Sequence, residues 1–368
     1  MSKTLYIHIP FCKSKCFYCS FTSFPDQQDR VDEYLQMLDK EAANCGRPEI
    51  ETVYVGGGTP TFLSLQQLNK LFRVISSRFV LPAAAEFTME ANPATFDLAK
   101  AKALRQAGVN RISLGVQSLR DENLKWLGRP HTAQDALNSY DVLRKAGFRN
   151  INLDFIYALP HQEEEGLKSD LKEIESLGSE HISLYALSIE PGTELSCRQI
   201  QPLNLERQAD HYRMVVTFLK ACGLSHYEVS NFARQGFDCR HNSHYWEGGD
   251  YIGLGVSAHS HDQGRRYWNG SELSEYISLM RTKGSARAGE ETLDALTRLK
   301  ETFLIGLRMT KGVRLESLEQ RFGARLPEQK KGLLRQYISE GLLEEEGGVI
   351  RATEEGMLVL DEICGQLY

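Results

Sequence analysis

The chain has 368 residues, of which 41% are hydrophobic and 25% are charged, which fits a folded protein of two or three domains rather than a disordered chain. Its 43 lysines and arginines against 49 aspartates and glutamates give a net charge of −6, without the basic excess typical of nucleic-acid-binding proteins. No apolar segment approaches the ~20 residues of a membrane span, and no signal peptide is recognisable, so we predict a cytoplasmic protein with no nucleic-acid partner and no stable membrane insertion.

In the first half of the chain, short β-branched runs alternate with amphipathic stretches. The predicted strands are 4–9, 52–55, 86–91, 111–116, 150–157 and 181–187. The predicted helices between them include 29–44, 64–78, 97–106 and 133–145. Six such units predict a parallel, right-handed α/β sheet that curves into a partial (β/α)6 TIM-like barrel. An open doubly wound sheet is the alternative.

The second half is less regular. We predict a helix over 205–222, strands near 227–232 and 251–257, a helix after Glu272 and a linker rich in Gly, Ser and Ala around 283–291. Residues 292–368 predict three helices, a hairpin closed by Gly347 and Gly348 and a last helix, which suggests a C-terminal α+β winged-helix-like domain. Residues 339–368 hold eight acids and one base, which favours a packing or docking module over DNA contact. The predicted domains are 1–200, 201–288 and 289–368.

Three of the eight cysteines, Cys12, Cys16 and Cys19, crowd into a loop after the first predicted strand. A disulfide would use only two of these thiols, and structural zinc sites use four ligands, so zinc is the weaker alternative. A cubane iron–sulfur cluster normally takes four thiolates, so a loop with three leaves one iron with an open coordination position. The five scattered cysteines are predicted to be small buried hydrophobes.

The cysteine loop resembles the signature of radical S-adenosylmethionine (SAM) proteins. It reads Cys-x3-Cys-x2-Cys, with an aromatic residue, Tyr18, before the last cysteine. The resemblance implies that Cys12, Cys16 and Cys19 hold a [4Fe-4S] cluster and that SAM chelates the open iron. It also implies a barrel of the radical SAM type.

Glycines and polar residues follow the predicted strands at the points where active sites of barrels gather. The second strand runs directly into Gly56-Gly57-Gly58-Thr59-Pro60, which matches neither a Walker loop nor a dinucleotide fingerprint and is in isolation compatible with a tight turn. Glu90, Gln117 and Asp154 end later strands, where each alone could simply cap a helix. Beside the cysteines, the glycines resemble the segment that aligns the amino group of SAM.

With the segments Leu-Tyr-Ile-His-Ile-Pro-Phe-Cys and Ile-Tyr-Ala-Leu-Pro, nearly the whole chain is similar to oxygen-independent coproporphyrinogen dehydrogenase and its relatives. Position by position, this resemblance implies a set of SAM-binding residues. They are Tyr6, Tyr18, Gly57, Gly58, Thr59, Glu90, Gln117, Arg129, Asp154, Ala186 and His259. His8, in the first strand, is predicted to be a hydrogen-bonded residue of the barrel core.

Two departures from the dehydrogenase pattern favour a carrier over an enzyme. The dehydrogenases continue as Cys-x-Cys where this chain reads Cys19-Ser20-Phe21, and they carry a longer segment before the cluster cysteines. Residues 240–246 read Arg-His-Asn-Ser-His-Tyr-Trp instead, which looks like the H-N-x-x-Y-W motif of the HemW-type haem chaperones. In this interpretation His241 ligates haem iron, and Tyr245 and Trp246 pack on the macrocycle.

The alternative for this motif is a loop whose aromatic residues fill a gap in the core and whose histidines only form hydrogen bonds. In the haem-binding interpretation, Arg240 pairs with a propionate.

The resemblance therefore implies a haem chaperone that binds haem and transfers it to an unidentified acceptor protein, with SAM at the open iron of its cluster and no catalytic residue assigned. The alternative is an oxygen-independent coproporphyrinogen III dehydrogenase, a radical SAM oxidative decarboxylase. A third possibility, a purely structural cluster, requires neither SAM nor haem.

Overall fold

A 12-stranded sheet forms the frame of the protein in the computed structural model, which describes residues 3–368. The strands of the chain are β1 (Lys3–Ile9), β2 (Phe11–Cys12), β3 (Phe24–Pro25), β4 (Ile50–Gly57), β5 (Glu86–Ala91), β6 (Arg111–Gln117), β7 (Ile151–Tyr157), β8 (His181–Ala186), β9 (Ser225–Glu228), β10 (Asn231–Ala233), β11 (Tyr251–Leu254), β12 (His259–Asp262), β13 (Arg265–Asn269), β14 (Arg287–Thr292), β15 (Leu343–Glu346) and β16 (Val349–Ala352). The order in the large sheet is β14-β13-β12-β11-β1-β4-β5-β6-β7-β8-β10-β9.

Helices cover the outer face of this sheet and form most of the C-terminal part. They are α1 (Val31–Ala43), α2 (Leu65–Arg78), α3 (Leu98–Gln106), α4 (Asp121–Trp126), α5 (Ala133–Lys145), α6 (Glu164–Ser176), α7 (Glu194–Cys197), α8 (Leu205–Ala221), α9 (Arg240–Trp246), α10 (Leu273–Lys283), α11 (Ala295–Gly306), α12 (Leu315–Phe322), α13 (Glu328–Ser339), α14 (Glu354–Leu358) and α15 (Leu360–Leu367). No helix within residues 3–368 is long and apolar enough to cross a membrane.

The six predicted strands form the parallel core, and the partial (β/α)6 barrel is confirmed. β1, β4, β5, β6, β7 and β8 lie side by side in chain order, and each neighbouring pair is parallel. A doubly wound sheet would reverse its strand order at a switch point, and this order does not. The side chains of these strands that face the outer helices, such as Leu5, Val53 and Leu114, are fully buried. The strands therefore bring all their carboxyl ends to one rim.

Local signals placed the helix ends correctly. Ser64 and Gln67 form the predicted capping box, with the Ser64 hydroxyl accepting from the Gln67 N–H and the Gln67 side chain accepting from the Ser64 N–H. Gly108 and Gly147 follow α3 and α5 with φ of 96° and 90°, the left-handed conformation that glycine adopts without strain.

Two predictions in the second half were wrong. The strand near 227–232 is in fact two antiparallel strands, β9 and β10, joined at Val229 and Ser230. The predicted linker at 283–291 contains β14, an edge strand paired with β13. Its composition resembles a linker because an exposed edge strand needs few apolar residues. Ion pairs across the strands, such as Arg265 with Glu290, contribute to the pairing instead.

A buried carboxylate ties the first helix to the second half of the chain. Glu41 in α1 accepts hydrogen bonds from the Gly255 N–H (2.8 Å), the Asn269 amide (2.5 Å) and the Tyr276 hydroxyl (2.7 Å). These partners lie after β11, in β13 and in α10. β11 is parallel to β1 and extends the barrel sheet on that side. The middle third of the chain thus continues the barrel.

The C-terminal part follows the predicted order of helices and hairpin, except that α14 and α15 replace a single last helix. Gly347 and Gly348, with φ of 57° and 78°, close the hairpin in a two-residue turn. Two acids of α14 pair with bases of α8, Glu355 with Arg213 and Glu354 with Lys220. The acidic surface therefore takes part in packing. The division at residues 200 and 288 remains a prediction.

Glu228 lies where β9 meets the C-terminal part, and its burial predicts a pH-dependent stability. Only 1% of the residue is exposed, and this burial raises the pKa of its carboxyl from 4.5 to about 7 against the opposing hydrogen bonds from Asn231 and the Ser230 N–H. Between those pKa values the folded state binds more protons than the unfolded state, so stability falls as pH rises.

We expect the free energy of unfolding of the natural protein to fall between pH 4.5 and about 7, relative to Glu228→Gln, by up to about 3 kcal/mol. Urea denaturation at a series of pH values measures this difference. Glu345→Gln, which changes an exposed acid of the hairpin, is the control and should follow the natural protein. Parallel pH profiles for Glu228→Gln and the natural protein would contradict the assignment.

Candidate functional site

A cavity of about 480 Å³ opens at the carboxyl ends of the parallel strands. Most of the residues predicted for the cluster and SAM line it. They are Cys12, Cys16, Tyr18, Cys19, Gly57, Gly58, Thr59, Glu90, Gln117, Arg129, Asp154 and Ala186. The structure therefore brings together residues that lie up to 174 positions apart in the chain.

The cysteine loop is held against the glycine loop by backbone hydrogen bonds. The Gly58 N–H donates to the Ile9 carbonyl (2.8 Å), and the Thr59 N–H donates to the Phe11 carbonyl (2.9 Å). A Cβ at Gly58 would lie 2.8 Å from the Phe11 carbonyl oxygen and 2.9 Å from the Cys12 sulfur, so only glycine permits this approach. Cys12 Sγ lies 3.5 Å from Thr59 Oγ1.

The donor set of the loop, three thiols, is of the kind that holds an iron–sulfur cluster. All three are free of disulfides, and they line the same cavity. Within residues 3–368, no three Cys, His, Asp or Glu side chains lie close enough to hold one metal ion. A cubane is larger than one ion and takes thiolates that are farther apart. Burial raises the pKa of the Cys12 and Cys19 thiols and so favours their neutral form. The positive charge of bound iron would act in the opposite direction and stabilise the thiolates.

Arg129 connects the cysteine loop to the strand ends. Its guanidinium donates to Asn92 Oδ1 (2.6 Å), to the Gly115 carbonyl (2.6 Å) and to Cys16 Sγ (3.4 Å). Its Nε is buried and has no hydrogen-bond partner among residues 3–368. An unsatisfied buried donor beside an open cavity is one that a ligand can satisfy. Arg129 can therefore hold Cys16 in place and still donate to a bound group.

Two carboxylates face the cavity in desolvated surroundings. Glu90 accepts from the Tyr54 hydroxyl (2.9 Å) and from the Gly57 N–H (3.0 Å), and burial raises its pKa to about 7. Asp154 accepts from the Ser113 hydroxyl (2.9 Å), and burial raises its pKa as well. These carboxylates can accept hydrogen bonds from ammonium and hydroxyl groups of a ligand, since their remaining lone pairs lie beside the cavity.

Gln117 has a strained backbone at the rim. Its φ is 67°, which is uncommon outside glycine, and the pairing of β6 with β7 shifts register between Gly115 and Gln117. Such bulges at strand ends redirect side chains and are frequent at functional sites.

Two residues of the predicted SAM set do not line the cavity. The Tyr6 hydroxyl is hydrogen-bonded to His8 Nδ1 (2.9 Å), and His8 Nε2 is hydrogen-bonded to the Thr22 carbonyl (2.8 Å). His259 stacks on Trp268 with ring centroids 5.8 Å apart. The prediction that His8 is a core residue with a hydrogen-bond partner is confirmed.

The H-N-x-x-Y-W motif lies in α9, at the opposite end of the barrel. The Glu86 carboxylate, at the start of β5, accepts from the Arg240 N–H (3.0 Å) and the His241 N–H (3.1 Å) and so caps α9. His241 is only 1% exposed, and its Nδ1 and Nε2 are hydrogen-bonded to Thr52 Oγ1 (2.7 Å) and to the Tyr245 hydroxyl (3.0 Å). Both ring nitrogens are thus occupied, and the structure does not place His241 where it can bind haem iron.

Three further residues that line the cavity were not predicted from the sequence. Tyr54, Asn92 and Ser113 line the cavity and hold Glu90, Arg129 and Asp154 respectively. Asn92 follows Glu90 by two positions, and side chains two apart on a strand share a face, so this spacing could have indicated it. Ser113, four positions before Gln117, fits the same spacing, whereas Tyr54 carries no such signal, because it resembles an ordinary core residue of a strand.

The fold and the site define a radical SAM protein, and comparison with known proteins agrees. Residues 6–174 match the family model of the radical SAM superfamily, and residues 293–359 match the HemN C-terminal domain. The chain is 36% identical to the protein named heme chaperone HemW of Bacillus subtilis (strain 168) over 99% of this chain and 98% of that one. It is 40% identical to the HemW of Escherichia coli (strain K12) over 70% and 69%.

The chain belongs to the HemW family of radical SAM proteins, and the predicted family is confirmed. Among solved structures, coproporphyrinogen III oxidase (HemN) from Escherichia coli superposes with a TM-score of 0.88 at 24% identity, over 100% of this chain and 90% of that one. This likeness shows that the two share a fold.

Gly58→Ala tests the close packing of the two loops. The added methyl group would overlap the Phe11 carbonyl and the Cys12 sulfur, and overpacking of this kind costs about 1–3 kcal/mol. We expect the iron and sulfide content after anaerobic reconstitution to fall to a minor fraction of that of the natural protein, with an unchanged far-ultraviolet circular dichroism spectrum.

Gly166→Ala is the matched control, because a Cβ at this position in α6 meets no atom within 4 Å and alanine favours the helix. It should reconstitute like the natural protein. Full cluster content in Gly58→Ala would show that the loops do not need this close contact.

Proposed function

We propose that this protein is a cytoplasmic haem chaperone that binds haem and transfers it to an acceptor protein, and that it carries a [4Fe-4S] cluster with SAM at the open iron. The observation that carries the proposal is the 36% identity, over 99% of the chain, to a protein named heme chaperone HemW. A second such relative is 34% identical over 99% of the chain. The free cysteines of the loop fit a reducing compartment.

The cavity at the strand ends supports the cofactor part of the proposal. Cys12, Cys16 and Cys19 would each ligate one iron, which leaves the fourth iron for the amino and carboxylate groups of SAM. Bound there, SAM would supply either a source of radicals or a ligand that controls the state of the cluster. The residues of the chain would bind and orient it, with Glu90 accepting from its amino group and Asp154 from hydroxyl groups.

Oxidation of coproporphyrinogen is the competing function, because the chain has the same fold as the coproporphyrinogen III oxidase (HemN) from Escherichia coli. One feature of the loop speaks against it. Ser20 and Phe21 follow Cys19 where the dehydrogenase pattern continues with a further cysteine, and Phe21 is 67% exposed. A shared fold does not decide between carrier and enzyme, since function depends on the residues of the site.

Haem binding and porphyrinogen turnover can be measured on the same preparation. The full chain is reconstituted anaerobically with iron and sulfide, titrated with haemin, and separately assayed for 5′-deoxyadenosine and protoporphyrinogen in the presence of SAM and coproporphyrinogen. We expect saturable haemin binding without porphyrinogen turnover. Sustained turnover would reverse the assignment, and a chain that binds no haemin would remove it.

Cys16→Ala tests the cluster ligands. Loss of one of three thiolates should remove nearly all of the visible absorbance and iron of the reconstituted cluster, while the circular dichroism spectrum and thermal unfolding remain close to those of the natural protein. Cys197→Ala, which removes an exposed cysteine outside the loop, is the control and should keep a full cluster. Retention of a full cluster in Cys16→Ala would refute the ligand assignment.

A further inference from the structure

A second cavity, of about 540 Å³, lies at the end of the barrel opposite the cysteine loop. It is enclosed by α9, by the start of β11 and the neighbouring strands, and by helices of the C-terminal part. Its walls are mainly aromatic and aliphatic. The side chains that form them include Tyr245, Trp246, Tyr251, Leu304, Ile305 and Phe322.

His261 lines this cavity and is oriented by a buried carboxylate. Its Nδ1 lies 3.0 Å from Asp250 Oδ1, and Asp250, which is 7% exposed, also accepts from the Gln263 N–H (2.9 Å). Because an ionised carboxylate can only accept, Nδ1 carries the proton and the neutral ring keeps a lone pair on Nε2. Nε2 of His261 has no hydrogen-bond partner within residues 3–368. Histidines that bind metals are held by a carboxylate in the same way.

A cation without a counter-ion lies at the same cavity. Arg298 of α11 forms no ion pair with any described residue, and its Nε is buried without a hydrogen-bond partner. Its guanidinium lies 5.0 Å from the Phe322 ring. Its aliphatic stem packs against Gly264, where an added Cβ would lie 2.7 Å from Arg298 Cδ. The nearby Arg266, in contrast, is paired with Glu291 and Glu301. The chain thus leaves one positive charge available to an anionic ligand.

We propose that this second cavity is the haem site, with the macrocycle between the aromatic walls, His261 Nε2 on the iron and Arg298 beside a propionate. The inference rests on the proposed function and assigns to it a place and a ligand. A planar, mostly apolar ring that carries a metal and carboxylates requires an apolar slot, a free imidazole nitrogen and an unpaired cation together. The cavity presents all three.

The same assignment accounts for the H-N-x-x-Y-W motif. Tyr245 and Trp246 form part of the cavity wall, whereas His241 fixes α9 to the barrel through Thr52 and the Tyr245 hydroxyl. In this arrangement the motif supplies the surface on which haem packs, and the iron ligand comes from β12. Haem binding is then independent of the cluster at the opposite end, so Cys16→Ala should still bind haemin.

Haemin titration of the full chain, followed by visible absorption, tests the site. We expect the natural protein to show the spectrum of an imidazole-ligated haem, and His261→Ala to lose that spectrum and bind about tenfold or more weakly. Added imidazole should restore the spectrum of His261→Ala. His161→Ala, which changes an exposed histidine on a different face, is the matched control and should bind haemin normally.

Arg298→Gln tests the propionate contact without touching the iron ligand. It should weaken haemin binding about tenfold, but leave the binding of haemin dimethyl ester unchanged, because the ester lacks the carboxylates that Arg298 pairs with. An equal loss for both ligands would contradict the pairing.

The failure of this site is distinguishable from the failure of the proposed function. If the natural protein binds no haemin, the chaperone function itself is refuted. If folded His261→Ala keeps the imidazole spectrum while His241→Asn loses it, haem is bound but the cavity and its ligand are wrongly assigned. Thermal unfolding of each variant shows whether it is folded.

Discussion

The close contact between two loops at the carboxyl ends of β1 and β4 is the constraint on which the site depends. Backbone hydrogen bonds from Gly58 and Thr59 to the segment before Cys12 fix the cysteine loop on the rim of the barrel, and the missing side chain of Gly58 lets the first thiol approach. Arg129 then joins Cys16 to the ends of β5 and β6. Cys12 and Cys16, held in this way, line the same cavity as Cys19.

The two ends of the barrel differ in chemistry. The carboxyl end opens into a cavity. The pKa values of Glu90 and Asp154 at this end are raised because the surrounding protein desolvates their carboxylates. The other end is closed by α9, whose amino terminus is capped by Glu86, and by the buried Arg111. A second cavity lies beyond that closure, between the sheet extension and the C-terminal helices. In the proposed arrangement a redox-active cluster and a haem are kept apart by the barrel core.

A shared fold does not by itself determine function. The chain superposes on coproporphyrinogen III oxidase (HemN) from Escherichia coli with a TM-score of 0.88, yet the two are only 24% identical. A radical SAM barrel positions a cofactor, and the surrounding side chains determine what is done with it. The acidic C-terminal module, paired with bases of α8, completes the wall of the second cavity.

The sequence by itself determined the parallel strands, the helix caps and the cysteine loop, because each depends on residues that are neighbours in the chain. It also indicated Glu90, Gln117 and Asp154, since strand ends meet at one rim. Only the tertiary structure showed that 287–292 is an edge strand, because the arginines that pair with it belong to another strand. Only the tertiary structure shows that both ring nitrogens of His241 are buried and hydrogen-bonded, whereas Nε2 of His261 is open to a cavity. The reason is that burial and hydrogen bonding depend on partners that are remote in sequence.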